Sequence, residues 1–384
     1  MIVIEILFWL LCAGLAYVYL GYPLLLYVLA RLRPNPVRKS EDAYEPTVTI
    51  IIAAHNEEAH LGGTLENKLA LEYPHVKVQI IVVSDGSTDA TDVVAQQYTA
   101  QGILLLHQRP RNGKTMALNM AVRHATGEIL VFADANSLYD SSALRHLVSN
   151  FADPKVGYVT GKLGYLNPDG SMTGDGCSTY MRYENVIRVY ESRIGSLVGV
   201  NGGIDAVRRS LYQAMDADDL PDLVLPLRVV AQGSRVVFEP LARLSESAHS
   251  NPDAEYRMRV RVSLRALWTL AEMPEILSVR RYGFYAVQVL SHKVLRYLAF
   301  FFIAALFVLN LLLWPVGTVY RIALVLQFSF IASALLGFLA ERVGKPNRLL
   351  SVPYYFMLVN AAALHAFFRF MRGERHRVWS PRLG

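Results

Sequence analysis

The chain has 384 residues, 53% of them hydrophobic and 18% charged, against roughly 25% charged in an ordinary soluble domain. That balance excludes disorder, a coiled coil and a collagen repeat, and it points to a folded domain that shares its chain with membrane segments. Basic residues outnumber acidic ones by 38 to 32, and the two cysteines, Cys12 and Cys177, supply neither a disulfide framework nor a zinc site.

Ile2 to Ala30 is apolar apart from Glu5, longer than the roughly 20 residues that cross a hydrocarbon core. It lacks the basic start and small-residue cleavage site of a signal peptide, so it reads as a transmembrane helix. The collar Arg31, Arg33, Arg38 and Lys39 places the following domain in the cytoplasm by the positive-inside rule.

From Thr47 to Glu239 the pattern alternates strand and helix. Val48–Ala54, Val78–Val83, Ile103–Leu106 and Ile129–Ala133 read as buried parallel strands, with helices over Leu61–Leu71, Asp89–Ala100 and Thr115–His124. Such a sheet, covered by helices on both faces, binds ligands at the carboxyl ends of its strands. Those ends carry His55-Asn56-Glu57, Ser84-Asp85-Gly86-Ser87 and Asp134-Ala135-Asn136, with Gly113-Lys114 beside them.

The set suits a nucleotide diphosphate held through Mg²⁺ or Mn²⁺. Hard cations take a few protein oxygens and fill the rest of their shell from phosphate and water. Asp134 and Asn136 offer such oxygens, Lys114 offers a cation, and Asp85 can accept hydrogen bonds from a base or ribose. Each piece alone is an ordinary turn or cap. Neither a P-loop nor a Gly-x-Gly-x-x-Gly fingerprint is present.

Taken in order, Val48–Glu58, Val82–Asp89, Gly113–Asn119 and Phe132–Asn136 resemble the family 2 inverting glycosyltransferases. They resemble most the membrane-bound branch that includes cellulose, chitin, hyaluronan and poly-N-acetylglucosamine synthases. The resemblance covers about residues 47 to 270. It implies a GT-A α/β fold with flanking transmembrane helices and a nucleotide-sugar donor. It further implies that His55, Asn56, Glu57 and Asp85 hold the nucleoside, that Lys114 faces the diphosphate, and that Asp134 binds metal. The family's Asp-x-Asp reads Asp-x-Asn here, which makes Asn136 the weaker ligand.

Further along, Val200-Asn201-Gly202-Gly203 stands where the family lines its acceptor site, although a plain turn would look the same. Inverting transfer needs one carboxylate as general base. Asp222 lies six residues before Arg228, as the family's base does, and Asp219 is the reserve. The Gln-x-x-Arg-Trp motif of processive members is missing. In its region Arg257, Arg261 and Arg265 form a helical stripe that suits lipid headgroups, or the leaving diphosphate through Arg261 or Arg265.

Leu295–Pro315 and Tyr320–Ala340 are long enough to span, whereas Ser351–Phe370, interrupted by Pro353, Asn360 and His365, reads as an interfacial or re-entrant helix with a cytoplasmic tail. In that tail Trp379 and Arg382 resemble a gating segment over the nucleotide. The expected organisation is a transmembrane helix at 1–30, a cytoplasmic GT-A domain at 44–250, interfacial helices at 251–294, membrane helices at 295–371 and a basic tail at 372–384. The expected protein is multi-pass in the inner (plasma) membrane and passes sugar to a polysaccharide or lipid-linked acceptor. An export partner protein is compatible with this reading. The basic residues sit beside membrane segments, where lipid explains them better than nucleic acid.

Overall fold

The computed structural model describes residues 1–40, 44–166, 170–247 and 251–376. Its centre is an eight-stranded sheet: β1 (Val48–Ala54), β2 (Val78–Asp85), β3 (Leu104–Gln108), β4 (Ile129–Asp134), β5 (Leu138–Tyr139), β6 (Val156–Leu166), β7 (Asp205–Arg208) and β8 (Arg235–Ser247). The spatial order is β3-β2-β1-β4-β7-β6-β8-β5.

Strands β1 to β4 are parallel, as their unbroken apolar runs require. Every residue of β1 is buried, because helices cover both faces. The other half departs from the expected parallel sheet. β7 runs antiparallel to both β4 and β6, and β5 is antiparallel to β8. The sheet is therefore mixed. The chain leaves β1 toward β3 on one side and returns to β4 on the other, and the crevice at that switch is where such sheets bind ligands. Ala53 pairs with Asp134 across it.

Among the described residues, three helices are long and apolar enough to cross a membrane: Ile2–Leu32, Thr318–Arg342 and Arg348–Met371. The span expected at Leu295–Pro315 is instead part of a bent pair, Phe284–Tyr297 and Ala299–Leu313, which meet at 57°. The first arm is tied to the sheet domain, since Gln288 Nε2 donates to Ser196 O at 3.0 Å and Tyr285 OH to Leu197 O at 3.3 Å. Those bonds turn it away from the apolar second arm.

Arg348–Met371 is a single helix in spite of Pro353. Both of its ends bond to the same polar domain. Arg348 Nε reaches Asp175 Oδ2 at 3.1 Å, and Arg375, just past the other end, pairs at 2.6 Å with both Asp218 and Glu272. Along its length it packs on the Pro252–Glu272 helix, with Val260 and Leu264 against Ala362 and Ala366.

Candidate active site

A cleft at the carboxyl edge of β1 and β4 is lined by Glu57, Lys114, Asp134, Asn136, Asp222, Arg261 and Arg265 among others. Residues expected from five separate segments thus meet in one place.

Asp134 is the last residue of β4, and Lys114 opens the Lys114–Val122 helix after Gly113, whose φ of +90° only glycine adopts readily. The two side chains bond directly. Burial alone would depress the Lys114 ammonium, but Asp134 and then Asp222 outweigh it, and its pKa stands above the usual lysine value. Lys68 braces the turn after Asp134: its Nζ donates to Ser137 O at 2.7 Å and stands 3.7 Å from the centre of the Tyr139 ring. Burial pushes its pKa down to about 7.

Asp222 sits in the first turn of the Pro221–Ala231 helix. The loop before β7 wraps it closely. A Cβ on Gly202 would stand 2.6 Å from Asp222 Oδ2, and one on Gly203, at φ +88°, would stand 3.1 Å from Asp134 Oδ2. Asp219, by contrast, is committed to its own loop, accepting from Arg228 NH2 at 3.0 Å and from Asp216 N at 2.9 Å. Geometry therefore favours Asp222 over Asp219 as the carboxylate facing the cleft.

Asp85 is buried and holds the loop before Lys114. Its Oδ1 accepts from Gln108 Nε2 (2.5 Å) and Asn112 N (2.8 Å), and its Oδ2 from Gly113 N (2.9 Å). Its Oδ2 also stands 3.7 Å from Arg111 Nε, so the carboxylate is surrounded by donors of its own domain. His55 Nδ1 bonds Asp85 O at 2.8 Å, and Asn56, at φ +54°, accepts from Thr88 N at 2.9 Å. Of this group only Glu57 lines the cleft, while His55, Asn56 and Asp85 are tied into the adjoining loops.

The arginine stripe departs from the headgroup expectation at two of its three positions. Arg261 and Arg265 turn into the cleft, and only Arg257 is exposed. Arg265 is further committed to the loop that carries Asp222, bonding Asp218 O at 3.0 Å, Thr115 Oγ1 at 2.9 Å and Asp219 O. Trp379 and Arg382 lie outside the described residues.

One cleft neighbour escaped the sequence reading. Asp205, at the start of β7, is buried and accepts from Tyr158 OH, while its Oδ1 has no hydrogen-bond partner among the described residues. Burial first, and the nearby Asp222 second, hold its pKa well above the carboxylate range. Its only sequence signal is an acid two residues after the Gly-Gly pair, entering an apolar strand.

Among the described residues no group of three or more His, Cys, Asp or Glu could cage a metal. Asp134 and Asn136, on one turn and both lining the cleft, instead suit a hard divalent cation that completes its shell with phosphate and water.

The strand order, with the site at the β1–β4 switch, is that of a GT-A-like α/β fold. Mannosyltransferase PcManGT from Pyrobaculum calidifontis, solved in complex with GDP-Man and Mn²⁺, superposes with a TM-score of 0.70 at 23% identity, over 93% of this chain and 99% of that one. Residues 49–172 match the model for Glycosyl transferase family 2, so the chain carries a domain of that family. Poly-beta-1,6-N-acetyl-D-glucosamine synthase of Staphylococcus aureus is 26% identical over 51% of this chain and 48% of its own length. Probable glycosyltransferase YdaM of Bacillus subtilis is 27% identical over 56% and 54% respectively. The chain spans about half the length of the curated relatives it matches.

Proposed function

We propose that this protein is a membrane-embedded inverting glycosyltransferase. It takes a sugar from a nucleotide sugar, a UDP-sugar first among the donors to test, and adds it to a growing extracellular polysaccharide. The observation that carries this reading is the convergence of Lys114, Asp134 and Asp222 on one cleft beside the Gly202-Gly203 loop.

In this reading the nucleoside lies against His55–Glu57 and the loop that Asp85 holds, and the diphosphate faces Lys114 and Arg261. Asp134 and Asn136 would hold Mg²⁺ or Mn²⁺, which supplies positive charge to the departing diphosphate. Lys114 already pairs with Asp134, so donor binding draws its ammonium onto a phosphate oxygen. Asp222 takes the proton of the acceptor hydroxyl as that oxygen bonds to the anomeric carbon and the bond to the diphosphate breaks. The Gly202-Gly203 loop leaves the acceptor room to approach Asp222.

The catalytic domain is cytoplasmic in this reading, with Ile2–Leu32, Thr318–Arg342 and the Ala299–Leu313 arm in the inner membrane. Arg348–Met371 lies along the interface, because both ends bond the catalytic half. A second acceptor, a lipid-linked one receiving a single sugar, is favoured by an amphiphilic pocket beside the membrane helices.

The test is turnover of a panel of nucleotide sugars by the detergent-purified protein with Mn²⁺ or Mg²⁺, reading nucleoside diphosphate and product mass together. A polymer from one donor is the expected result. A single-sugar adduct on lipid would favour the second reading, and hydrolysis-free inertness toward every donor in native membranes would overturn both.

A further inference from the structure

A cavity of about 300 Å³ lies among the Ile2–Leu32, Met172–Ile194, Pro252–Glu272, Phe284–Tyr297 and Arg348–Met371 helices. Two π turns meet at its edge, Tyr17–Gly21 and Leu290–Val294, joined by Tyr17 OH and Ser291 Oγ at 2.8 Å. Tyr183 OH donates to Tyr19 O at 2.9 Å within the first. Such turns cost regular hydrogen bonding and recur at functional sites.

The charges beside the cavity are unevenly matched. Among the described residues three carboxylates bond residues of its wall, Glu184, Glu191 and Glu255, and each is engaged, Glu255 by Tyr355 OH at 2.5 Å and Arg259 at 2.8 Å. His292 bonds Glu191 through Nδ1 at 2.8 Å and Glu184 through Nε2 at 3.1 Å, Arg296 pairs with Glu184, and Tyr22 OH donates to Glu191 at 2.5 Å. Lys293 lines the cavity yet makes no hydrogen bond or ion pair among the described residues. An ionisable group left over among apolar helices marks a binding position. Apart from Thr179, Ser263 and Asn360 the rest of the wall is apolar or aromatic, with Tyr297, Val352 and Phe356 running along it.

We propose that this cavity binds the phosphate of a membrane lipid, with the anion on Lys293 and the lipid chain along the wall of Tyr297 and Phe356. A lone anion would gain nothing from that wall, and a neutral lipid nothing from Lys293, so the combination selects an amphiphile with a phosphate head. The site adjoins the chemistry. A Cβ on Gly199 would lie 3.0 Å from Lys293 Nζ, and the next residue, Val200, donates its N–H to Asp222 O at 3.0 Å. A lipid bound there would carry its head to within one loop of the proposed base. That this lipid is the acceptor rests on the glycosyltransferase reading, whereas its binding does not.

The test titrates farnesyl phosphate into the full-length protein in an uncharged detergent and follows binding by calorimetry, with no donor present. The expected result is saturable binding, weakened about tenfold or more by Lys293→Gln, kept within a few-fold by Lys293→Arg, and much weaker for farnesol. Equal binding by Lys293→Gln with an unchanged melting temperature, or equal binding of farnesol, would overturn the proposal, as would no binding of farnesyl phosphate to the wild type. Competition by dioctanoyl phosphatidylglycerol would assign the site to phospholipid heads, and its absence to a lipid monophosphate. Either supports the phosphate-lipid site. The readout is independent of turnover, so a failed donor panel does not decide it.

Discussion

Gly202 and Asp222 share one small volume: a Cβ on the glycine would stand 2.6 Å from Asp222 Oδ2 and 2.9 Å from its Cγ. The loop and the carboxylate fit only because residue 202 carries a hydrogen there. One residue on, Gly203 places the same backbone against Asp134. Asp134 and Asp222 are thereby both packed against the same two-residue loop.

Gly202→Ala should therefore displace the Asp222 carboxylate. The expected outcome is a fall in kcat of about 10- to 100-fold, part of what a misplaced general base forfeits. Donor binding should be unchanged, and the melting temperature should fall by only a few degrees, because Asp222 can swing into the open cleft. Steady-state kinetics and a thermal melt on one preparation check this. Unchanged kcat would remove the loop from the chemistry.

Asp134→Ala and Asn136→Ala should separate by degree. Losing the carboxylate removes the charged oxygen a hard cation prefers, while losing the amide removes a neutral one. Mn²⁺-dependent binding of a nucleoside diphosphate should drop by about 100-fold or more in the first variant and about tenfold in the second. Isothermal titration with and without Mn²⁺ measures both. Equal losses would mean that the turn, and not its carboxylate, is what matters.

The buried Asp205 gives a pH dependence with a definite sign. Its folded pKa is raised, so its contribution is fully present below the unfolded value of about 3.9 and is lost as pH rises toward the folded one. The slope is at most about 1.4 kcal/mol per pH unit. Asp205→Asn keeps an acceptor for Tyr158 OH and does not titrate. Its unfolding free energy relative to wild type should therefore climb as pH rises from 4.5 to 8. Parallel curves in urea melts across that range would contradict the assignment.

The ends of Arg348–Met371 make a topological prediction. Glu374, whose backbone O accepts from Trp268 Nε1 at 2.9 Å, should lie on the catalytic side of the membrane. With Cys12 and Cys177 replaced by serine, Glu374→Cys should react with an impermeant maleimide in inside-out vesicles, together with Gln97→Cys on the catalytic domain. Labelling of the two from opposite faces would make the helix a true span.

How much of this was legible in the sequence varies with how local the cause is. β1 and β4 were readable because a strand buried on both faces must be apolar along its whole length, and Asp134 stood out by ending one. The Asp222 reading needed the spacing to Arg228, which the helix then keeps on one element. The mixed half of the sheet was not readable, because β7 joins β4 across some seventy residues of intervening chain and no short pattern records direction. The commitment of Arg265 to the carbonyls of Asp218 and Asp219 was hidden for the same reason, since a helical stripe shows its face and not its partner. Asp205 was invisible because a buried acid has no periodicity of its own. The bend at Leu298 falls where a run carrying His292, Lys293 and Arg296 gives way to the apolar Ala299–Leu313, a change of hydropathy that records no angle.

The most direct test of the central claim compares Asp222→Asn with wild type under saturating donor and Mn²⁺. The account predicts equal affinity for the nucleoside diphosphate and a loss of transfer of about 100-fold or more, with no recovery at high pH. Transfer at the wild-type rate by that variant would contradict it, because the cleft would then be working without the carboxylate it is built around.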